Sequence, residues 1–262
     1  MIMTELIELK IKPNFVILHG NHNTIAEDAW YLYLYNKLSI YGYKIDLRTH
    51  DESIINSKVN IIKTLKDEIK CDKNTIIIGH SSGAQACLRY AEEYPVLGLV
   101  LVTPYVTHMS NFHEKESGYF DYPWKPEQIR KNCKWIIQFS SDDDPFISYK
   151  EQSQIIRRIL RNPDFDYTYY KCINMHHIGK KFKSCNFLYR LVSSKVFDNY
   201  LPSNITTNEL NDNNQTINVC IEKVNDGEEE ELIEIESNHP FIESWMDNIL
   251  PKNMNLNLVF KF

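Results

Sequence analysis

Short apolar runs alternate with longer stretches of helical spacing along most of the chain. Phe15-Val-Ile-Leu18, Lys44-Ile-Asp-Leu47, Thr75-Ile-Ile-Ile78, Leu97 to Val102, Trp135 to Phe139 and Tyr167 to Lys171 read as six strands. Several are apolar without alternation, as expected of parallel strands covered on both faces. Between them, Trp30, Leu34 and Leu38 recur at four-residue steps within a helix over 27–39, and Ile54 to Ile69 reads as a second helix. Further helices are expected over 84–94, stopped by Pro95, over 148–160 and over 184–196. This rhythm predicts an α/β fold with a mostly parallel sheet of about six strands flanked by helices. The stretch from Tyr105 to Arg130 is too long for a simple connection. It is read either as a lid or wall over a pocket or as a packed excursion with its own small core.

Gly79-His-Ser81-Ser-Gly83 stands between a predicted strand and a predicted helix, where a G-x-S-x-G nucleophile elbow belongs. The turn holds the serine in a strained conformation, and the two glycines let strand and helix pass closely. The alternative reading is a serine-rich helix cap after a buried strand. The N–H of Ser82, at the helix start, is placed to donate to an oxyanion, and the backbone around Asn21, after the first strand, is the candidate second donor.

A serine nucleophile needs a base and an acid. Asp142, Asp143 and Asp144 follow the fifth strand, with Asp144 biased towards extended backbone by Pro145. His176 and His177 follow the sixth. Ser, then Asp, then His is the chain order of α/β-hydrolases and not that of the other two common serine protease arrangements. The expected mechanism has Ser81 as nucleophile, His177 as base and Asp144 as its orienting acid. Two backbone donors hold the oxyanion, each contributing about 3 kcal/mol in comparable sites. No metal or organic cofactor is called for.

Charge and cysteine usage narrow the partners. The 262-residue chain has a net charge of −6 and a pI near 5.9, without a basic stretch, which argues against nucleic acid. No run is long enough to span a membrane, and the first residues lack an apolar signal core. Six scattered cysteines show neither C-x-x-C nor zinc spacing, so buried free thiols and a cytoplasmic location are expected.

Residues 72–84 (DKNTIIIGHSSGA), 117–124 (SGYFDYPW) and 138–152 (QFSSDDDPFISYKEQ) resemble the small serine hydrolases grouped with retinoblastoma-binding protein 9, a likeness that spans residues 14–198. The resemblance implies an α/β-hydrolase fold and hydrolysis of small ester or amide substrates. It puts the nucleophile on Ser81 and the acid on the aspartate before Pro-Phe, Asp144. Gapless alignment from Lys171 to Ile178 selects His177 over His176, although the family's flanking glycine and aromatic are missing here. Two departures stand out. Ile69-Lys-Cys-Asp-Lys73 lacks the leucine and glutamate of L-x-C-x-E, so no retinoblastoma-type partner is expected. Asn21-His22-Asn23 replaces the family's glycine-rich loop.

The expected organisation is a hydrolase domain over 1–200, a linker over 201–216 rich in Asn, Thr and Ser, and an extension over 217–262. Ile217 to Ile221, Leu232 to Ile235 and Leu256 to Phe262 could pair as a small sheet or add to the main one, around an acidic run from Asp226 to Glu231. The rival to an enzyme is a non-catalytic protein of the same fold that uses its tail or excursion to hold a partner.

Overall fold

The computed structural model describes residues 12–197, 204–210 and 216–223. Its centre is a sheet in the order β2-β1-β3-β4-β5-β6-β8-β7. The parallel part comprises β1 (Asn14–Leu18), β2 (Ile45–Leu47), β3 (Thr75–His80), β4 (Val96–Val102), β5 (Cys133–Ser141) and β6 (Asp166–Cys172). These are the six strands expected, with ends moved by one to a few residues.

The uninterrupted apolar runs resolve into two faces with period two. Phe15, Ile17, Ile76, Ile78, Val100, Val102, Ile137 and Phe139 point into one core, with α1 (Tyr31–Ser39) and α8 (Asn186–Phe197) over it. Val16, Leu18, Ile77, Leu99, Leu101 and Ile136 point into the other, beneath α3 (Lys58–Lys63), α4 (Ser82–Glu93), α6 (Pro126–Asn132) and α7 (Ile156–Leu160). Both neighbours of every alternate residue are therefore apolar, because both faces are covered.

The helix expected over 27–39 begins only at Tyr31, and two others are interrupted. The span 54–69 is broken into α2 (Glu52–Ile55), α3 and a π-helical segment, Thr64–Ile69, that ends at Lys70 with φ 62°. Asn56 and Ser57 interrupt it, and the Ser57 side chain caps α3 by accepting from the Asn60 N–H. The helix over 148–160 likewise contains a π segment, Glu151–Ile155, ahead of α7.

The stretch 105–130 is a packed excursion holding α5 (Phe112–Glu116) and the start of α6. Tyr119 and Trp124 are buried in the α4-side core. Arg89 of α4 bolts it down: Nε donates to the Tyr119 carbonyl at 2.7 Å, Nη2 to that of Tyr122 at 2.8 Å, and the guanidinium lies 3.7 Å from the Trp124 ring centroid. Its charge is met by Glu92 at 2.8 Å. A buried cation so thoroughly satisfied holds its surroundings, because removing its partner costs about 3–5 kcal/mol.

Past α8 the chain departs from the expected organisation. Asn204–Leu210, read as linker, forms strand β7, and Thr216–Lys223 forms β8. They pair with each other antiparallel, and β8 pairs antiparallel with β6 through Tyr170↔Lys223 to Cys172↔Ile221. The Asn- and Thr-rich composition masked an edge strand that pairs with β8 along one side. The possible strands at 232–235 and 256–262 lie outside the described residues.

Candidate active site

The order β2-β1-β3 makes the chain reverse direction across the sheet on either side of β1, so the loops leaving β1 and β3 diverge at the carboxyl edge. Ligands of open α/β sheets bind at such a point. The ends of β1, β3, β5 and β6 bring Asn21, Ser81, Asp144 and His177 to this one edge.

Ser81 has φ 54° and ψ −120°, a strained conformation at the junction of β3 and α4. Its N–H donates to the Val102 carbonyl at 2.9 Å, which ties the turn to β4. The flanking glycines are dictated by contact. A Cβ on Gly79 would stand 2.3 Å from the Gly83 carbonyl oxygen, and one on Gly83 would stand 2.7 Å from those of Leu18 and His19. The helix can start against the sheet only without those side chains. Ser82 opens α4, where the first N–H groups have no acceptor within the helix. Its hydroxyl bonds to Tyr105 Oη at 3.1 Å, so the two adjacent serines are chemically distinct.

The acid and base candidates sort themselves into two pairs. Asp144 Oδ2 accepts from His177 Nδ1 at 2.7 Å, with side-chain exposures of 0% and 19%. Asp143 Oδ2 meets His176 Nδ1 at 2.8 Å, at 29% and 42%. The first pair is the sheltered one, and its carboxylate is saturated. Oδ1 accepts the N–H groups of Phe146 and Ile147 at 2.9 and 3.1 Å, and Oδ2 also accepts from Gln152 Nε2 at 2.8 Å. A carboxylate so held, with His177 Nδ1–H as donor, leaves His177 Nε2 with its lone pair available. The Phe146 ring packs edge-on against the imidazole at 5.2 Å and is otherwise exposed.

His80 links the elbow to the histidine loop. Its Nε2 donates to the His177 carbonyl at 2.8 Å, so Nδ1 must accept, and it does so from the Tyr31 hydroxyl at 2.6 Å. The His80 and His177 rings lie 4.9 Å apart, which places His177 beside the residue that precedes Ser81. Burial, followed by repulsion from His177, pushes the His80 imidazole down to about 3. The histidine loop itself is strained: Asn174, His176 and Ile178 all have φ between 46° and 55°. For a β-branched residue such as Ile178 this is a true outlier, of the kind that clusters at functional sites.

The loop after β1 passes directly over the elbow, and a Cβ on Gly20 would stand 3.2 Å from Ser81 Cβ. His22 and Asn23 adopt φ 60° and 53°. They follow the left-handed path that glycines take without strain, which accounts for how Asn21-His22-Asn23 can occupy this loop. His19 fastens the loop's start: Nδ1 donates to the Gly20 carbonyl at 2.6 Å and Nε2 accepts the His50 N–H at 2.8 Å. Asn21 is buried, its carbonyl accepting from Thr24 Oγ1 at 2.6 Å and its side-chain amide donating to Glu114 at 2.9 Å.

Gln152, His80, Tyr31, Tyr105 and Glu114 were not singled out by sequence reasoning. His80 alone carried a signal, as the variable residue of the elbow pattern. Among the described residues no cluster of His, Cys, Asp and Glu could hold a metal ion, and no helix is long and apolar enough to cross a membrane.

A family model described as "Serine hydrolase" matches residues 15–162. That span includes Ser81 and Asp144 and stops short of His177, so it is shorter than the likeness read from the motifs. The rat (Rattus norvegicus) protein "Serine hydrolase RBBP9" is 40% identical over 146 residues, covering 55% of this chain and 78% of the relative. The ydeN gene product of B. subtilis superposes with a TM-score of 0.60 at 18% identity, over 70% of this chain and 97% of that one. At that identity the likeness speaks for the fold. With the doubly covered parallel sheet, the elbow between β3 and α4, and a family match over more than half of its length, this chain belongs to the serine hydrolase family, as an enzyme of the α/β-hydrolase fold.

Proposed function

We propose that the chain hydrolyses a small ester or amide through an acyl-enzyme on Ser81, with His177 as general base and Asp144 as its orienting acid. The observation that carries this is the sheltered Asp144–His177 pair, held through His80 beside an elbow serine at φ 54°. Ser81 Oγ attacks the acyl carbon as its proton passes to His177 Nε2. The carbon–oxygen or carbon–nitrogen bond breaks, and the leaving group takes that proton. Water then repeats the sequence, giving the acid and restoring the serine. Asp144 keeps the proton on Nδ1 and stabilises the imidazolium. The N–H groups of Ser82 and Asn21 receive the oxyanion.

The decisive experiment is labelling with a fluorophosphonate, read by intact mass, on wild type beside Ser81→Ala. A single adduct on wild type alone is expected. A folded wild type that does not react would favour a binding role for this fold.

Two further readings belong to the same proposal. A cytoplasmic location is supported by Cys71, Cys87, Cys133, Cys172 and Cys185 being free thiols. Thiol titration of freshly isolated protein tests it. A division into a hydrolase domain over 1–200, a linker over 201–216 and an extension from 217 would be tested by limited proteolysis; the pairing of β8 with β6 speaks for the extension's first strand staying with the domain.

A further inference from the structure

Asn21 and Ser82 come from opposite sides of the elbow, and one buried carboxylate joins them. Glu114, on α5 of the excursion, has its Oε1 against Asn21 Nδ2 at 2.9 Å and its Oε2 against Tyr105 Oη at 2.7 Å. Tyr105 Oη in turn meets Ser82 Oγ at 3.1 Å. Glu114 and Asn21 are nearly buried, and Tyr105 and Ser82 almost wholly so.

The direction of the chain follows from donor counting. Tyr105 donates its one proton to Glu114 Oε2, so Ser82 must donate to the Tyr105 oxygen. Every link is then fixed: Ser82 to Tyr105 to Glu114, met from the other side by Asn21. A charge-assisted bond from a phenol or amide is about twice as strong as a neutral one. The excursion is clamped independently by Arg89, so Glu114 is presented on a rigid support.

We propose that Glu114 is a positioning residue for the oxyanion hole, setting the separation of the two backbone donors at Asn21 and Ser82 through one bridge. This rests on the reading of Ser81 as nucleophile. Glu114 touches no reacting atom; it acts by holding the loop after β1 and the first turn of α4 in register. A preorganised pair of donors stabilises the transition state only if both are already placed where the charge develops.

The test compares Glu114→Leu, Glu114→Gln and Tyr105→Phe with wild type and Ser81→Ala. The readouts are ester turnover, the affinity of a trifluoromethyl ketone whose serine adduct carries the oxyanion, and the thermal midpoint. Glu114→Leu should lower kcat by on the order of 30-fold, with KM within about threefold, and weaken the ketone by the same factor as kcat. Glu114→Gln should recover most of that loss, because an amide can still bridge the two sides with one bond reversed. Tyr105→Phe, which cuts only the Ser82 link, should cost kcat and ketone affinity about fivefold each. It decides the matter if Glu114→Leu does not fold.

Wild-type kcat and ketone affinity in Glu114→Leu or Tyr105→Phe would overturn the inference, as would a rise in kcat on removing the charge. So would losses that follow the thermal midpoint while the ketone binds as before. If wild type labels and Ser81→Ala does not, such a result removes only the bridge. If wild type fails to label, or Ser81→Ala labels equally, the nucleophile assignment falls and the bridge falls with it.

Discussion

His80 Nε2 donates to the carbonyl oxygen of His177 at 2.8 Å, so the residue before the proposed nucleophile grips the backbone of the proposed base. Tyr31 completes the grip by donating to His80 Nδ1 at 2.6 Å. Replacing His80 by Leu removes both bonds and leaves a carbonyl unpaired. A misplacement of roughly 1 Å in such a constellation can cost on the order of 100-fold in rate. We expect His80→Leu to lower kcat by about that factor with KM little changed. Tyr31→Phe, which frees only Nδ1, should lose about threefold to tenfold. Steady-state kinetics on a short acyl ester checks both, and equal, small losses would mean the grip is unimportant.

The two Asp–His pairs make a ranked prediction. Asp144→Asn keeps the shape of the sheltered pair but removes the acceptor that fixes the His177 tautomer, and should cost turnover about 10⁴-fold. Asp143→Asn acts on the more exposed pair and should cost less than about threefold. His177→Ala should likewise fall far below His176→Ala. The reverse order in either comparison would move the chemistry to the outer pair.

Gln152 donates to Asp144 Oδ2 at 2.8 Å and to the Ile147 carbonyl at 2.7 Å, so it orients the proposed acid and closes its loop. Gln152→Leu leaves the buried carboxylate one donor short, a loss of about 1–3 kcal/mol for a group in such surroundings. A fall of about tenfold in kcat is expected, with slower fluorophosphonate labelling in proportion. Unchanged labelling would make Gln152 a purely structural residue.

These residues show where sequence reasoning reaches. The runs Phe15-Leu18 and Thr75-Ile78 exposed strands, a parallel sheet and its carboxyl edge, because burial on both faces writes itself as unbroken apolarity. The placement of Ser81 and the aspartate run at the carboxyl edge was legible because each follows the end of a strand. Gln152 was not, since it lies eight residues from Asp144 on a helix whose pattern is set by packing. Glu114 and Tyr105 were hidden inside a polar, aromatic stretch whose path is decided by Arg89, far along the chain. Strand β7 was missed because Asn and Thr signal turns as readily as they fill an edge strand.

Stability should depend on pH through histidines that carry no proton in the proposed mechanism. Burial holds His50 at about 4 and His80 at about 3, and lowers His19 as well. Their folded values lie below the unfolded value of about 6.5, so the unfolded chain takes up protons first as pH falls. Stability is therefore fully present above about pH 6.5 and drains towards pH 4, by up to about 1.4 kcal/mol per pH unit for each histidine. Denaturant midpoints at pH 7, 6 and 5 should fall steadily, and His50→Gln should flatten the slope by one group. Equal midpoints across that range would show that these imidazoles titrate normally.

Ending the chain at residue 203 removes β7 and β8 and leaves Tyr170 to Cys172 of β6 without an antiparallel partner. An unpaired edge invites association with other chains. We expect the shortened protein to melt several degrees lower and to aggregate, while its remaining monomer still labels at Ser81. Unaltered melting and solubility would make the two strands dispensable.

The same pairing sets an order of events at the ribosome. The sheet's parallel strands are complete once β6 has emerged, yet the strand that closes its edge is about fifty residues further on. At roughly 5–20 residues per second, the nascent sheet waits several seconds with that edge open. A slower ribosome across the α8-to-β8 interval would prolong that exposure, so we expect synonymous codons there to change the yield of folded protein although the finished chain is the same.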